Sequence, residues 1–86
     1  MPLITQKQAK ESGIPHKTLQ TILVSKAYSI PESKAWLKDH SFSSAYWRNS
    51  GKDGHFRRWM QTPPIKGAKY YSIKLSDGVE LVYQEY

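Results

Sequence analysis

The 86-residue chain is expected to fold as α+β: a small antiparallel sheet of about four to five strands, one main helix (30–40) packed on one face, and a short N-terminal helix. Three features carry that expectation. Ser29-Ile30-Pro31-Glu32 is a helix start followed by apolar residues at helical spacing. Residues 70–86, YYSIKLSDGVELVYQEY, alternate like two strands around Asp77-Gly78, and residues 45–61 alternate again around a Gly-rich centre. A chain of this length makes one domain, with 1–17 as an N-terminal extension or short helix and 18–86 as the α+β core. Such a chain buries only about 60–65% of its unfolded surface, so its core is small.

Residues 18–26, TLQTILVSK, fit a helix face through Leu19, Ile22 and Leu23, but four β-branched residues favour a strand, which is the preferred reading. The N-terminal stretch QAKESGIPHKTLQTIL resembles a helix-turn-helix, with Ala9 four residues before Gly13 and the pair Thr18-Leu19 beyond. Gln8 sits where that motif wants an apolar residue. In the main helix, Ser29 and Glu32 have capping-box spacing and Pro31 falls in the first turn, where its missing N–H costs nothing. Ser33, Trp36, Leu37 and His40 share one face, with Trp36 and Leu37 as anchors, and the helix ends by Ser41. A three-residue loop, Ser76-Asp77-Gly78, pairs Leu75 with Val79, Ile73 with Leu81 and Tyr71 with Tyr83. It also sets Lys74 against Glu80 and gathers the apolar residues on one side. The expected structural core is Trp36, Leu37, Phe56, Trp59, Ile73 and Leu81.

The net charge of +6 is unevenly placed. Residues 46–61, YWRNSGKDGHFRRWMQ, hold all three arginines and net +3, whereas 62–86 balance three lysines against three carboxylates. A basic cluster of this kind favours polyanions through phosphate contacts and counterion release. On that reading Arg48, Lys52, Arg57 and Arg58 contact phosphates, and Trp47 or His55 stacks on a base or sugar. The opposing reading gives the aromatics to the core and makes the arginines a solvated surface. Strand alternation lets both hold, since Phe56, Arg58 and Met60 share one face and His55, Arg57 and Trp59 the other. The six residues 49–54 are long for a hairpin loop and predict a mobile tip.

Catalytic, metal and cofactor sites are not expected. The three histidines are isolated, there is no cysteine, and no Gly-rich phosphate loop follows a strand. Purely apolar runs, such as Ile22-Leu23-Val24, reach only three residues and no secretory signal is legible, so a soluble intracellular protein is expected, without membrane or small-molecule partner. The expected partners are nucleic acid (DNA or RNA) or an acidic protein surface, with self-association left open.

Trp36, Leu37, Lys38 and His40, then Phe56, Arg58, Trp59 and Gln61, then Leu75, Gly78, Val79, Leu81 and Val82 carry a wider resemblance over about residues 20–83. Together they resemble a small α+β domain that recurs in tailed-phage and large-virus proteins, sometimes beside prohead-protease-type head proteins. Its pattern runs Trp-Leu-Lys-x-His-Gly, a Tyr/Phe-Arg-rich strand ending in Gln, and Lys-Leu-x-x-Gly-Val-x-Leu-Val. Ser41 stands here in place of the glycine, Met60 stands where arginine is common, and the first 17 residues fall outside the pattern. The resemblance implies the fold and a viral setting, in host cytoplasm or virion, and no activity. Two functions are therefore expected in turn: a basic, non-enzymatic, viral-type nucleic-acid-binding module, or a protein-interaction module such as a virion assembly component or a phage inhibitor of a host or defence complex.

Overall fold

A computed structural model describes residues 3–49 and 54–86. In chain order the elements are α1 (Gln6–Glu11), β1 (Lys17–Ser25), α2 (Ile30–Asp39), β2 (Trp47–Asn49), β3 (Phe56–Met60), β4 (Lys69–Ser76) and β5 (Val79–Glu85). The strands form one antiparallel sheet in the order β2-β3-β1-β5-β4. The α+β expectation therefore holds, with five strands, a main helix and a short N-terminal helix.

The stretch 18–26 is the central strand β1, paired on both sides. Its buried run Gln20-Thr21-Ile22 marks burial on both faces, which masks the usual strand alternation. One face carries Ile22 and Val24 with Trp59, Val79 and Leu81, and Leu37 of α2 completes this cluster. Trp36, Phe42, Trp47 and Tyr83 pack around it, half-buried.

The register extends that face outward, Trp47–Trp59–Ile22–Leu81–Ile73 lying in one row across the sheet. Ile73 ends the row on the edge strand and is 51% exposed. The expected core position of Ile73 is therefore corrected: it points to the apolar face, but α2 does not extend over β4. Phe56 is corrected too. It is half-buried and sits across from Ser25 on the opposite face, outside the core cluster. The C-terminal hairpin pairs Ile73 with Leu81, Tyr71 with Tyr83 and Lys74 with Glu80 as expected. Val79 however faces Ser76, because a bulge at Leu75 shortens the loop to Asp77-Gly78. Gly78, at φ +78°, supplies the left-handed residue of the turn.

On the second face, residues 61–65 cross over the Gln84 end of the sheet and are sewn down by two buried amides. Gln84 accepts from the Ile65 N–H at 3.0 Å and donates to Thr62 Oγ1 at 3.0 Å and Pro63 O at 2.9 Å. Gln20, the extra residue where the β1 register shifts, donates to Thr62 O at 3.2 Å. The N-terminus is tied to this connector by a parallel bridge between Ile4 and Ile65.

The helix-turn-helix reading is not realised. Gly13, at φ +75°, ends α1 and the chain continues into β1. Gln8, awkward for that motif, has another use: with Thr5 it forms the capping box of α1, accepting from the Thr5 N–H at 2.9 Å.

Helix α2 starts with the expected capping box, Ser29 N–H donating to Glu32 Oε1 at 2.9 Å and Glu32 N–H to Ser29 Oγ at 3.2 Å. It ends in a Schellman motif: Phe42 N–H donates to Leu37 O and Ser41 N–H to Lys38 O, with Ser41 at φ +62°. Ser41 thus occupies, with a side chain, the left-handed position that glycine suits best.

Three outcomes are expected. Ser41→Gly should raise stability by roughly 0.5–1 kcal/mol in urea denaturation, since it removes the left-handed penalty. Leu37→Ala should cost about 2–5 kcal/mol by the same measurement. The Ser29 N–H and hydroxyl hold the Glu32 carboxyl below its ordinary value of 4.5. A depressed carboxyl stabilises above its unfolded pKa and loses that contribution as pH falls through the folded one. Melting temperature should therefore fall more steeply below about pH 4.5 in the wild type than in Glu32→Gln.

Candidate nucleic-acid interface

The strand β3 offers its side chains alternately to two different environments, and the register with β1 decides which goes where. Trp59 lies across from Ile22 and Arg57 across from Val24, both on the helix-covered face. Arg58 lies across from Leu23 on the other. The adjacent arginines of the Phe56-Arg57-Arg58-Trp59 run therefore serve opposite sides of the sheet.

On the covered face Arg57 is engaged within the protein. Its Nη1 donates to Tyr28 O at 2.8 Å, joining β3 to the turn before α2. Its guanidinium lies 5.5 Å from the centre of the Trp47 ring, and Trp47 in turn packs on Trp59 with ring centres 5.9 Å apart. Arg57, Trp47 and Trp59 form a stack closing the β2 side of the core. Trp47 and Arg57, both sequence candidates for ligand contact, are thereby occupied in holding the fold.

On the opposite face Arg48 of β2 stands directly across from Arg58 of β3. The row continues through Leu23 and Glu80 to Lys74. Among the described residues the ion pair formed is Lys74–Asp77 at 3.6 Å, and no carboxylate lies within pairing distance of Arg48 or Arg58. Glu80, the acidic member of the row, is two strands away from Arg58. Like charges directly across a strand pair destabilise a sheet. Leu23, Glu80 and Val82 between the arginines and β4 are only partly buried, because the 61–65 connector covers the other end of this face. Phe56 belongs to the same partly open face, two residues from Arg58.

His55, exposed at the start of β3, accepts the Lys26 N–H on its carbonyl at 2.8 Å. Lys52 and the centre of the expected mobile tip 49–54, residues 50–53, lie outside the described residues. Of the six proposed contact residues, the fold thus brings together Arg48 and Arg58, diverts Arg57 and Trp47 to the core side, and leaves His55 at the strand end. Phe56, assigned to the core from sequence, joins the arginine pair instead. The signal for that was present in its two-residue spacing from Arg58.

The small cavity lined by Val24, Tyr28, Glu32, Ser33, Trp36 and Val79 has a volume near 20 Å³, about the space one water molecule needs. Among the described residues no group of three or more His, Asp or Glu converges as metal ligands, and no helix is long and apolar enough to cross a membrane. No family model, curated protein or solved structure matches this chain.

Because Arg57 binds the Tyr28 carbonyl and covers Trp47, Arg57→Ala should destabilise the fold by about 1–2 kcal/mol in urea denaturation.

Proposed function

We propose that the protein is a small, basic, non-enzymatic nucleic-acid-binding module that contacts phosphates through the face of the sheet carrying Arg48 and Arg58. The observation that carries this reading is the cross-strand arginine pair, two like charges side by side with no carboxylate in reach among the described residues. The fold bears a repulsion there that a bound polyanion relieves. Phosphate oxygens accept from guanidinium in two-pronged geometry, and two neighbouring guanidiniums span successive groups of a backbone. Half-buried Phe56 and Leu23 beside them give the surface an apolar floor for a base or sugar. The net +3 of residues 46–61 adds attraction at longer range. The resemblance of 20–83 to a domain of phage and large-virus proteins makes a viral protein the natural setting.

A docking module for an acidic protein surface is the second reading, since carboxylates would also satisfy the arginine pair and Leu23 and Val82 would add apolar contact. Pull-down after nuclease treatment separates the two, because only a protein partner survives it.

Binding of fluorescent single- and double-stranded DNA and RNA should be strong at low salt and weaken steeply as salt rises. Arg58→Glu should reduce the salt slope by about 1 and weaken binding to all sequences alike. Arg48→Glu should do the same while raising folding stability by roughly 0.2–1 kcal/mol, because it turns a like pair into an opposite one. Undetectable binding at low salt, or unchanged binding in both variants, would overturn the proposal.

A further inference from the structure

The arginine pair has an aromatic ring on either side of it. Met60 N–H donates to Tyr46 O at 3.0 Å, so the β2–β3 ladder begins one residue before Trp47 and the pleat turns Tyr46 to the side of Arg48. Phe56 lies on that side too, two residues from Arg58. Because β2 and β3 are antiparallel, Tyr46 flanks the Arg48–Arg58 row in one direction along the strands and Phe56 in the other. Each is displaced from its arginine by about 7 Å along the strand, so the two aromatic positions stand about 13 Å apart in that direction with the guanidiniums between them.

These two rings differ from the aromatics of the covered face. Tyr46 is 45% exposed, and Phe56 is half-buried across from Ser25, a neighbour too small to cover a phenyl ring. Among the described residues neither packs on another aromatic, whereas Trp47 packs on Trp59, and Trp36 on His40 and Phe42. Their π-faces are therefore not used up in closing the core.

We infer that this face takes single-stranded in preference to double-stranded nucleic acid, with bases stacked on Tyr46 and Phe56 and the phosphates between them held by Arg48 and Arg58. The inference rests on the arginine pair contacting phosphates and adds to it which form of the polyanion fits. In a duplex the faces of the bases are covered by stacking, and a protein reads their edges through a helix or β-ribbon set into a groove. Here α2 packs on the opposite face of the sheet. Trp47–Asn49 and Phe56–Met60 lie within the sheet, fixed from behind by the packing of Trp47 on Trp59. A flat surface with outward rings engages base faces, and these are free in an unstacked single strand. The spacing agrees. A stacked strand rises about 3.4 Å per nucleotide, so neighbouring stacked bases fall far short of rings about 13 Å apart, and a drawn-out strand is needed to bridge them. DNA and RNA share this chemistry.

Fluorescence anisotropy with labelled oligothymidylate and oligouridylate of about 12 nucleotides, and with a DNA duplex and an RNA duplex of the same length, tests it at one fixed salt concentration. Both single strands are expected to bind about tenfold or more tighter than the duplexes. Tyr46→Ala should weaken single-strand binding roughly 5- to 30-fold and leave duplex binding unchanged, while Tyr46→Phe, which keeps the ring, should bind like the wild type. Tyr46 is the variant of choice because its exposed ring can be removed with the circular-dichroism spectrum and melting temperature as a check on folding; Phe56→Ala should act in the same direction. Arg58→Glu serves as the control for the underlying reading. Binding that depends on Arg58 but is equal for single strands and duplexes, or is unchanged in Tyr46→Ala, would overturn this inference and leave the phosphate contact standing. Binding absent from all four probes, or indifferent to Arg58→Glu, would overturn both.

Discussion

The rest of the structure depends on β1 being hydrogen-bonded along both edges and covered on both faces. Its register with β3 and β5 places Ile22 and Val24 under α2 and turns Thr21 and Leu23 to the other side. A slip of one residue would exchange the two faces of every strand paired to it. Trp59 would leave the core and Arg58 would enter it. The bulge at Gln20 matters for the same reason, since it lets the start of β1 reach the 61–65 connector while the later part keeps its apolar face inward. The amides of Gln20 and Gln84 fix that connector through directed hydrogen bonds, so the second face is closed at one end and left open at the other.

That division gives two neighbouring arginines different work. Arg57 and Arg58 differ by one position, and the pleat sends one to a backbone carbonyl and a tryptophan and the other to the opposite face, half-buried beside Arg48. Their charges are the same; their neighbours are not. A variant that changes both at once would mix damage to the fold with damage to any site. The arginine pair is informative because the fold could have placed a carboxylate across from either residue, as it sets Lys74 across from Glu80 in the C-terminal hairpin.

Charge and apolar surface are separated across the width of the sheet. The β2–β3 side is basic, with aromatics that serve mainly to close the core, and the β4–β5 side is neutral, with an apolar edge. The strand order produces this arrangement: the first and second hairpins flank β1 on opposite sides, so two stretches of unlike composition end at opposite edges.

Much of the fold was legible in local sequence. The capping box at Ser29 and Glu32, the stop after His40 and the alternation of 70–86 are short-range features set by hydrogen bonding and the strand repeat, and they appear where they were expected. Alternation likewise fixed that Arg57 and Arg58 would part. It could not say which face would be covered, and that depended on where α2 docks. The docking buries Leu37 and Trp59, leaves Ile73 outside the helix footprint, and puts Phe56 beside Arg58. The roles of Gln8, Gln20 and Gln84 were hidden for two reasons. Gln8 is awkward only for a helix-turn-helix and suits a capping box, and the other two amides act through residues more than fifteen positions away. The sequence by itself determined the elements and the two-faced character of the arginine strand. Only tertiary structure decided which face would be covered by α2 and which would hold the arginine pair, because burial depends on what packs across a strand and not on the residues along it.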